Sequence, residues 1–508
     1  MRSSLVTQFE IPRESDIPVG DTNSGLVTSL RNQKKLTLFL LFIFLLSLPF
    51  LNPWIRGDGV GYYAYARAPL IEHRLDFTHD YQRANDSFRQ DRLDSTGMPK
   101  PFFLTRTGHL ENHFTVGPAL LWSPFLIATH IGVLLARALG SSVAADGFSA
   151  PYRLAMALGT GIYGFLALLL SFKLAQRFVH PIWAFLATIA IWWGSSLPVY
   201  MYFNPSWSHA HSAFAVSLFL WYWVRTQEHR SLSQWLILGL IAGLMLNVYY
   251  ANIMVLSVLA VEAVGHYAKL LRPGTQRGSN IWRLLIRHAA FGVVVVLTLI
   301  PTFISRWVVY GGPFETGYIS LRDFLWRSPV FFSVLFSSNH GLLSWTPLVG
   351  LAILGLLLFM FGMPKEGIPF FAALVAFYFF ITIYPDWAGI SSFGNRFFVS
   401  LTPLFVLGLA YFLERVAVSF PKRSVAIGAF SGVMACFVLW NLGLIYQFGT
   451  HLIPVRGPIS FREAAYNQFH VVPVRMTSDL HSYLFGRSQM MRQIEQKDIE
   501  QMNGGRSH

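Results

Sequence analysis

Apolar residues in this chain come in long unbroken blocks separated by short polar stretches. Each block is about 20 residues long, the length that crosses a hydrocarbon core of about 30 Å. The blocks predict transmembrane helices near 35–53, 152–172, 181–202, 209–224, 235–251, 253–269, 288–309, 342–362, 368–385, 397–413 and 424–446. The expected fold is therefore an all-α polytopic membrane protein of about eleven transmembrane helices. Residues 1–34 are polar and read as a disordered cytoplasmic tail, and no small-residue cleavage site follows the first block. The transmembrane module covers 35–446, with a long polar loop at 54–116, and a small solvated tail fills 447–508.

Charge orients this pattern. The connections around 173–180, 225–234, 269–287, 363–367 and 414–423 carry Lys173, Arg177, Arg225, Arg230, Arg283, Lys365, Arg415, Lys422 and Arg423, among other basic residues. The opposite short connections, near 203–208, 247–252, 311–341 and 385–397, carry only Arg322, Arg327 and Arg396. Basic loops stay on the cytoplasmic side, so the N-terminus and the first set are expected inside. One block resists. Residues 117–138 are apolar and long enough to span, but a crossing there would turn every later basic loop outward. The segment is therefore read as a re-entrant or interfacial helix, which Pro118 and Pro124 make easier by interrupting the backbone ladder.

Composition agrees. Of 508 residues, 53% are hydrophobic and 13% charged, against about 25% charged in soluble proteins. The net charge of +14 follows from the loop lysines and arginines, so no nucleic-acid partner is implied; membrane lipids are the expected surroundings. The single cysteine, Cys436, excludes a disulfide framework and a CxxC centre.

This threading gathers unusual polar residues on the non-cytoplasmic side. They are RGDGVGYYAYARA at 56–68, ENHFTVGP at 111–118, NPSWSHAH at 204–211, NVYYAN at 247–252, SSNHGLLSWTP at 337–347 and YPDWAGISSFGNRF at 384–397. Aromatic rings pack on sugar C–H faces, amides and carboxylates take hydroxyls, and arginine takes phosphate. The same rings also serve as interfacial anchors in any membrane protein. Asp58 stands out: it follows the first span closely, between Gly57 and Gly59, at a boundary where a carboxylate is costly unless paired or used. Residues 60–71 behind it read as an amphipathic interfacial helix.

In these features the chain resembles the GT-C superfamily of membrane glycosyltransferases, which includes aminoarabinose transferases and protein O-mannosyltransferases. The likeness rests on the first span, the long outer loop with an acidic residue at its start (DGVGYYAYARAPLIEHRLDF, 58–77), and HFTVGPALLW (113–122), loosely like the family's KPP-type segment. FSSNHGLLSWTP (336–347) and Trp387, Gly394 and Arg396 look like blocks of bacterial members. The chain departs from the family in lacking an Asp-Glu pair at 58–59, a KPP sequence and a WWD signature.

The resemblance implies transfer of a sugar from a polyprenyl-phosphate carrier to a glycan, lipid or protein acceptor outside the cytoplasm, at a bacterial plasma (inner) membrane. It implies Asp58 as general base and a single inverting displacement. Arg396 is the first candidate for the leaving phosphate. His340, His209 and His113 are further substrate-binding candidates, with Tyr63, Asn204, Asn252 and Trp387 as sugar contacts. Asp58, Asp76, Asp80 and Glu111 are hard oxygen donors suited to a divalent cation, but they form no compact motif. His209 and His211, two apart, diverge on a helix. No obligate cofactor or metal is expected, although a divalent cation is compatible. Two other classes remain open: a transporter or flippase for a lipid-linked glycan, and a non-catalytic membrane scaffold.

Overall fold

The computed structural model describes residues 22–270 and 277–504. It divides into two compact units, 1–45 and 46–508. Helix α1 (Thr22–Ser47) provides the described part of the first unit. The expected disordered tail lies partly outside the described residues; from Thr22 onward the chain is helical, as Leu30, Arg31, Gln33, Lys34 and Lys35 are all good helix formers.

The long polar loop folds into short helices, α2 (Asp58–Arg67), α3 (Thr78–Gln82) and α4 (Asp86–Arg92), followed by α5 (Gly117–Ala138). The bundle continues with α6 (Ala150–Ala175), α7 (Pro181–Gly194), α8 (His209–Thr226), α9 (Leu232–Val248), α10 (Ser257–Leu270), α11 (Arg277–Thr298) and α12 (Ile300–Tyr310). Next come α13 (Phe331–Phe336), α14 (Leu342–Trp345), α15 (Leu348–Gly362), α16 (Pro364–Ile383), α17 (Thr402–Ala417) and α18 (Arg423–Gly449). The chain ends in α19 (Phe461–His470), α20 (Val472–Phe485) and α21 (Arg487–Gly504). No strand occurs among the described residues, only two isolated bridges in the loop. Eight helical segments among these residues are long and apolar enough to cross a membrane, and α7, α9 and α15 are shorter apolar helices. The molecule is a helical polytopic membrane protein.

Several blocks expected as single spans are broken, and two of the breaks are answered by a buried asparagine. The 181–202 block stops being α-helical after Gly194, where Ser195 adopts an extended backbone. The 288–309 block breaks at Leu299, ahead of Pro301. Carbonyls freed in an apolar interior must find donors, and at each of these two breaks a buried asparagine supplies them. Asn441 Nδ2 donates to the Trp193 and Ser195 carbonyls at 2.9 and 2.8 Å. Asn247 Nδ2 donates to the Thr298 carbonyl at 2.7 Å and its Oδ1 accepts from Thr302 at 2.6 Å.

The basic connections gather at one end of the bundle. The His180 N–H donates to Glu414 at 2.7 Å, Arg423 meets His180 at 3.1 Å, and Lys365 pairs with Glu228 at 3.6 Å. The polar 54–116 loop lies at the other end, the Asp58 end, and has its own core. Tyr63, Tyr65, Phe77, Tyr81, Leu110 and Phe114 pack with Trp122 of α5 and Tyr152 of α6. Arg67 and Asp80, both essentially unexposed, form a two-pronged ion pair inside it, each bond 2.6 Å long.

Helix α5 has the length and apolarity of a span, and its polar contacts lie toward the Asp58 end. Thr115, just before it, donates to the Val248 carbonyl at the end of α9 (2.7 Å). The connection after it returns to α2, where the Tyr63 hydroxyl donates to the Gly147 carbonyl at 2.6 Å. Between these points α5 runs antiparallel to the first half of α6: Trp122 donates to Thr160 at 2.9 Å and His130 meets the Tyr152 hydroxyl at 2.6 Å. Thr160 in turn bonds the Pro205 carbonyl in the α7–α8 connection (2.7 Å). Helix α5 is continuous through Pro124, so it is not a re-entrant pair.

The C-terminal segment is not a solvated tail. Tyr483 donates to the Phe50 carbonyl at 2.8 Å and Arg487 to the Pro49 carbonyl at 2.7 Å, so α20 and α21 dock back on the Asp58 end.

Candidate functional site

Asp58 is the first residue of α2, after a turn that only glycine makes cheaply. Gly57 has φ +54°, in the left-handed region. Its N–H donates to Asn85 Oδ1 at 3.1 Å. Gly59 packs on Ser206 so closely that a Cβ there would stand 1.9 Å from Ser206 Oγ and 3.1 Å from its carbonyl carbon. The hydroxyl can swing away, but the backbone cannot. Gly59→Ala is therefore expected to destabilise the protein by about 1–3 kcal/mol, the range for overpacking, and to lift α2 off the α7–α8 connection. Thermal unfolding in detergent micelles measures the first effect.

Facing Asp58 is Arg396, which opens a 3-10 turn leading into α17. Its Nη1 is 2.8 Å from Asp58 Oδ2, with the arginine side chain 11% and the aspartate 30% exposed. The pair is thus shielded on the arginine side and open on the carboxylate side. The guanidinium carbon lies 4.6 Å from the Trp207 ring centre and 5.6 Å from that of Phe397, cation–π contacts that strengthen as water is excluded. Tyr249 stacks on Phe397 at 6.3 Å. Asp386, half-buried, lies in the field of both charges. Burial pushes its carboxyl above the usual carboxylate range, Arg396 opposes this, and the Asp58 charge adds to it. Asp386 therefore keeps its proton to higher pH than an ordinary carboxyl does. Tyr62 is on the Asp58 face of α2 and accepts a hydrogen bond from Ser208 at 3.0 Å. Burial, then the Asp58 charge, raise its hydroxyl pKa, so it stays a neutral donor.

The other candidates are distributed around this centre. His209, almost unexposed, forms an edge contact with Tyr200 (4.6 Å) and lies 6.1 Å from both Trp207 and Tyr249, behind Arg396. His113 is at the rim, beside Glu111 (3.4 Å), between the rings of Phe114 (4.2 Å) and Tyr318 (4.9 Å). Phe114 touches Tyr62 at 4.8 Å. Trp387 is half-buried in the loop of Asp386, and its carbonyl accepts from the Asn395 amide at 3.1 Å. Asn204 takes part through its backbone, where its carbonyl accepts the Trp207 main-chain N–H (3.2 Å).

Three candidates do not open onto Asp58. Tyr63 points the opposite way and is spent on Gly147. Asn252 is fully buried, donating to Ser212 (2.8 Å) and the Met245 carbonyl (3.1 Å). His340, also fully buried, has φ +61° and stacks on Trp345 at 5.0 Å. Burial, aided by the Arg396 charge, pushes its pKa down to about 4 against the carbonyls of Ile390 and Ser392. Both of its ring nitrogens are buried without a hydrogen-bond partner among the described residues.

Tyr62, Trp207 and Asp386 also belong to this centre, and residue type alone does not single them out. Helical spacing could have found the first: position 62 is four residues from Asp58 and shares its face, whereas 63 does not. Asp386 is the lone acid of YPDWAGISSFGNRF. Among the described residues no group of three or more histidine, cysteine or carboxylate side chains could hold a metal ion. No protein-family model matches the chain, and no curated protein matches it either.

Proposed function

We propose that the chain is a membrane glycosyltransferase that moves a sugar from a polyprenyl-phosphate carrier to an acceptor on the non-cytoplasmic face, with Asp58 as general base. The observation that carries this reading is the Asp58–Arg396 pair, 2.8 Å apart, among aromatic rings. A carboxylate and an arginine side by side match the two charge changes of such a transfer. The acceptor hydroxyl attacks the anomeric carbon and gives its proton to Asp58. The bond from that carbon to the phosphate oxygen breaks, and its electron pair leaves with the lipid phosphate. Arg396 neutralises that developing charge. A single displacement inverts the anomeric centre and requires one carboxylate only. Tyr249 and Trp387 offer rings to the sugar, and Asp386 offers a carboxyl group to its hydroxyls.

Eleven spans fit this reading. The polar contacts of α5 at the Asp58 end support leaving it out of the count. The clustering of basic connections at the opposite end supports a cytoplasmic placement of that end, with the Asp58 end facing the periplasm of a bacterial inner membrane. Membranes containing the chain are expected to transfer label from at least one member of a radiolabelled polyprenyl-phosphate sugar panel. Absence of product from every donor would overturn the reading.

A further inference from the structure

Helix α21, the last among the described residues, grips the turn that presents Asp58. On α21, Glu495 and Asp498 are three residues apart and so share a face. Glu495 accepts from the Asn85 side-chain amide at 3.0 and 3.2 Å and from the Ser87 N–H at 2.8 Å. Asn85 is the residue whose Oδ1 takes the Gly57 N–H at 3.1 Å. Asp498 pairs with Arg56 and also meets His451 Nε2 at 2.8 Å. Arg56 lies over the Trp54 ring (4.3 Å), and its carbonyl accepts from Trp207 Nε1 at 3.0 Å. The two residues immediately before Asp58 are thus tied to α21 by two separate routes. One of them also ends on the ring that supports Arg396.

We infer that Glu495 and Asp498 are positioning residues for Asp58. They fix the left-handed turn at Gly57 and, through it, the register of the carboxylate against Arg396. This rests on the reading of Asp58 as general base. The geometry favours it over simple docking. Helix α20 already anchors the segment through Tyr483 and the Phe50 carbonyl, and Arg487 ties the start of α21 to the Pro49 carbonyl. Two further carboxylates directed at Arg56 and Asn85 are not needed for attachment. They act on the one stretch whose backbone dihedrals aim the base. A displacement of about 1 Å in a reacting group lowers turnover by up to about 100-fold.

The test uses the full-length chain carrying Glu495→Gln, Asp498→Asn or both, with Asp498→Glu as the conservative control. Two measurements are made: kcat and KM for the polyprenyl-phosphate sugar that the unmodified chain uses, and hydrogen–deuterium exchange of the 54–66 segment. The double variant is expected to lose about 10- to 100-fold in kcat with KM changed by less than about twofold. Exchange is expected to quicken at 57–61 while α20 stays as protected as before, and Asp498→Glu is expected to recover most of the rate. Unchanged exchange at 57–61, or a full rate despite faster exchange there, would overturn the inference. A chain inactive on every donor would instead overturn the transferase reading. The exchange result would still decide whether α21 holds the turn.

Discussion

Asp58→Asn is expected to lower sugar transfer by about 10²- to 10⁴-fold, the span of a general base, while changing the binding of the lipid-linked donor far less. The substitution is nearly isosteric. An asparagine oxygen can still accept from Arg396 Nη1, which now stands 2.8 Å from the carboxylate. The Gly57 turn and the contact of Gly59 with Ser206 are untouched, so α2 keeps its place. What disappears is the charge and the capacity to take the acceptor's proton. The loss should therefore fall on kcat, because an interaction made only in the transition state leaves substrate binding alone. Initial rates with labelled donor, alongside filter binding of the same donor, separate the two. An unchanged rate would remove Asp58 from the chemistry and leave its pairing with Arg396 a structural helix-start arrangement.

The helical, polytopic character was legible because each span is encoded locally, by about 20 apolar residues in succession. Asp58 and Arg396 were legible as well: one is a carboxylate set between glycines, the other an arginine in a group of connections otherwise poor in basic residues. Their meeting across 338 positions of sequence (396 minus 58) was not, since no local pattern encodes register between distant elements. The breaks at Ser195 and Leu299 escaped for a related reason. A broken ladder inside an apolar block is tolerable only where a distant donor such as Asn441 or Asn247 satisfies it. The C-terminal helices are polar enough to read as solvated, and their docking depends on single polar bonds such as Tyr483 to the Phe50 carbonyl. Tyr63 and Tyr62 differ by one position, yet the helix turns one toward the packed core of the loop and the other toward Asp58. Residue type without helical phase could not choose between them.

Arg396→Gln is expected to reduce kcat by about 10²- to 10³-fold, the usual loss when one donor to a developing oxyanion is removed, and also to raise KM for the donor, because the phosphate is already charged in the ground state. Arg396→Lys should recover only part of this. The lysine ammonium is a compact point charge, while the planar guanidinium stacks on Trp207 at 4.6 Å and reaches Asp58 at the same time. The decisive measurement is the Asp58→Asn, Arg396→Gln double variant. The two side chains form one unit: the arginine holds the carboxylate in place until the donor phosphate competes for it, and the carboxylate then accepts a proton as the phosphate leaves. Groups that act as a unit show strongly non-additive losses, and contacting residues couple by about 0.5–3 kcal/mol. The double variant should therefore be little slower than Asp58→Asn alone. If the two losses multiply instead, each residue works independently of the other, and the direct pair between them plays no part in the transfer.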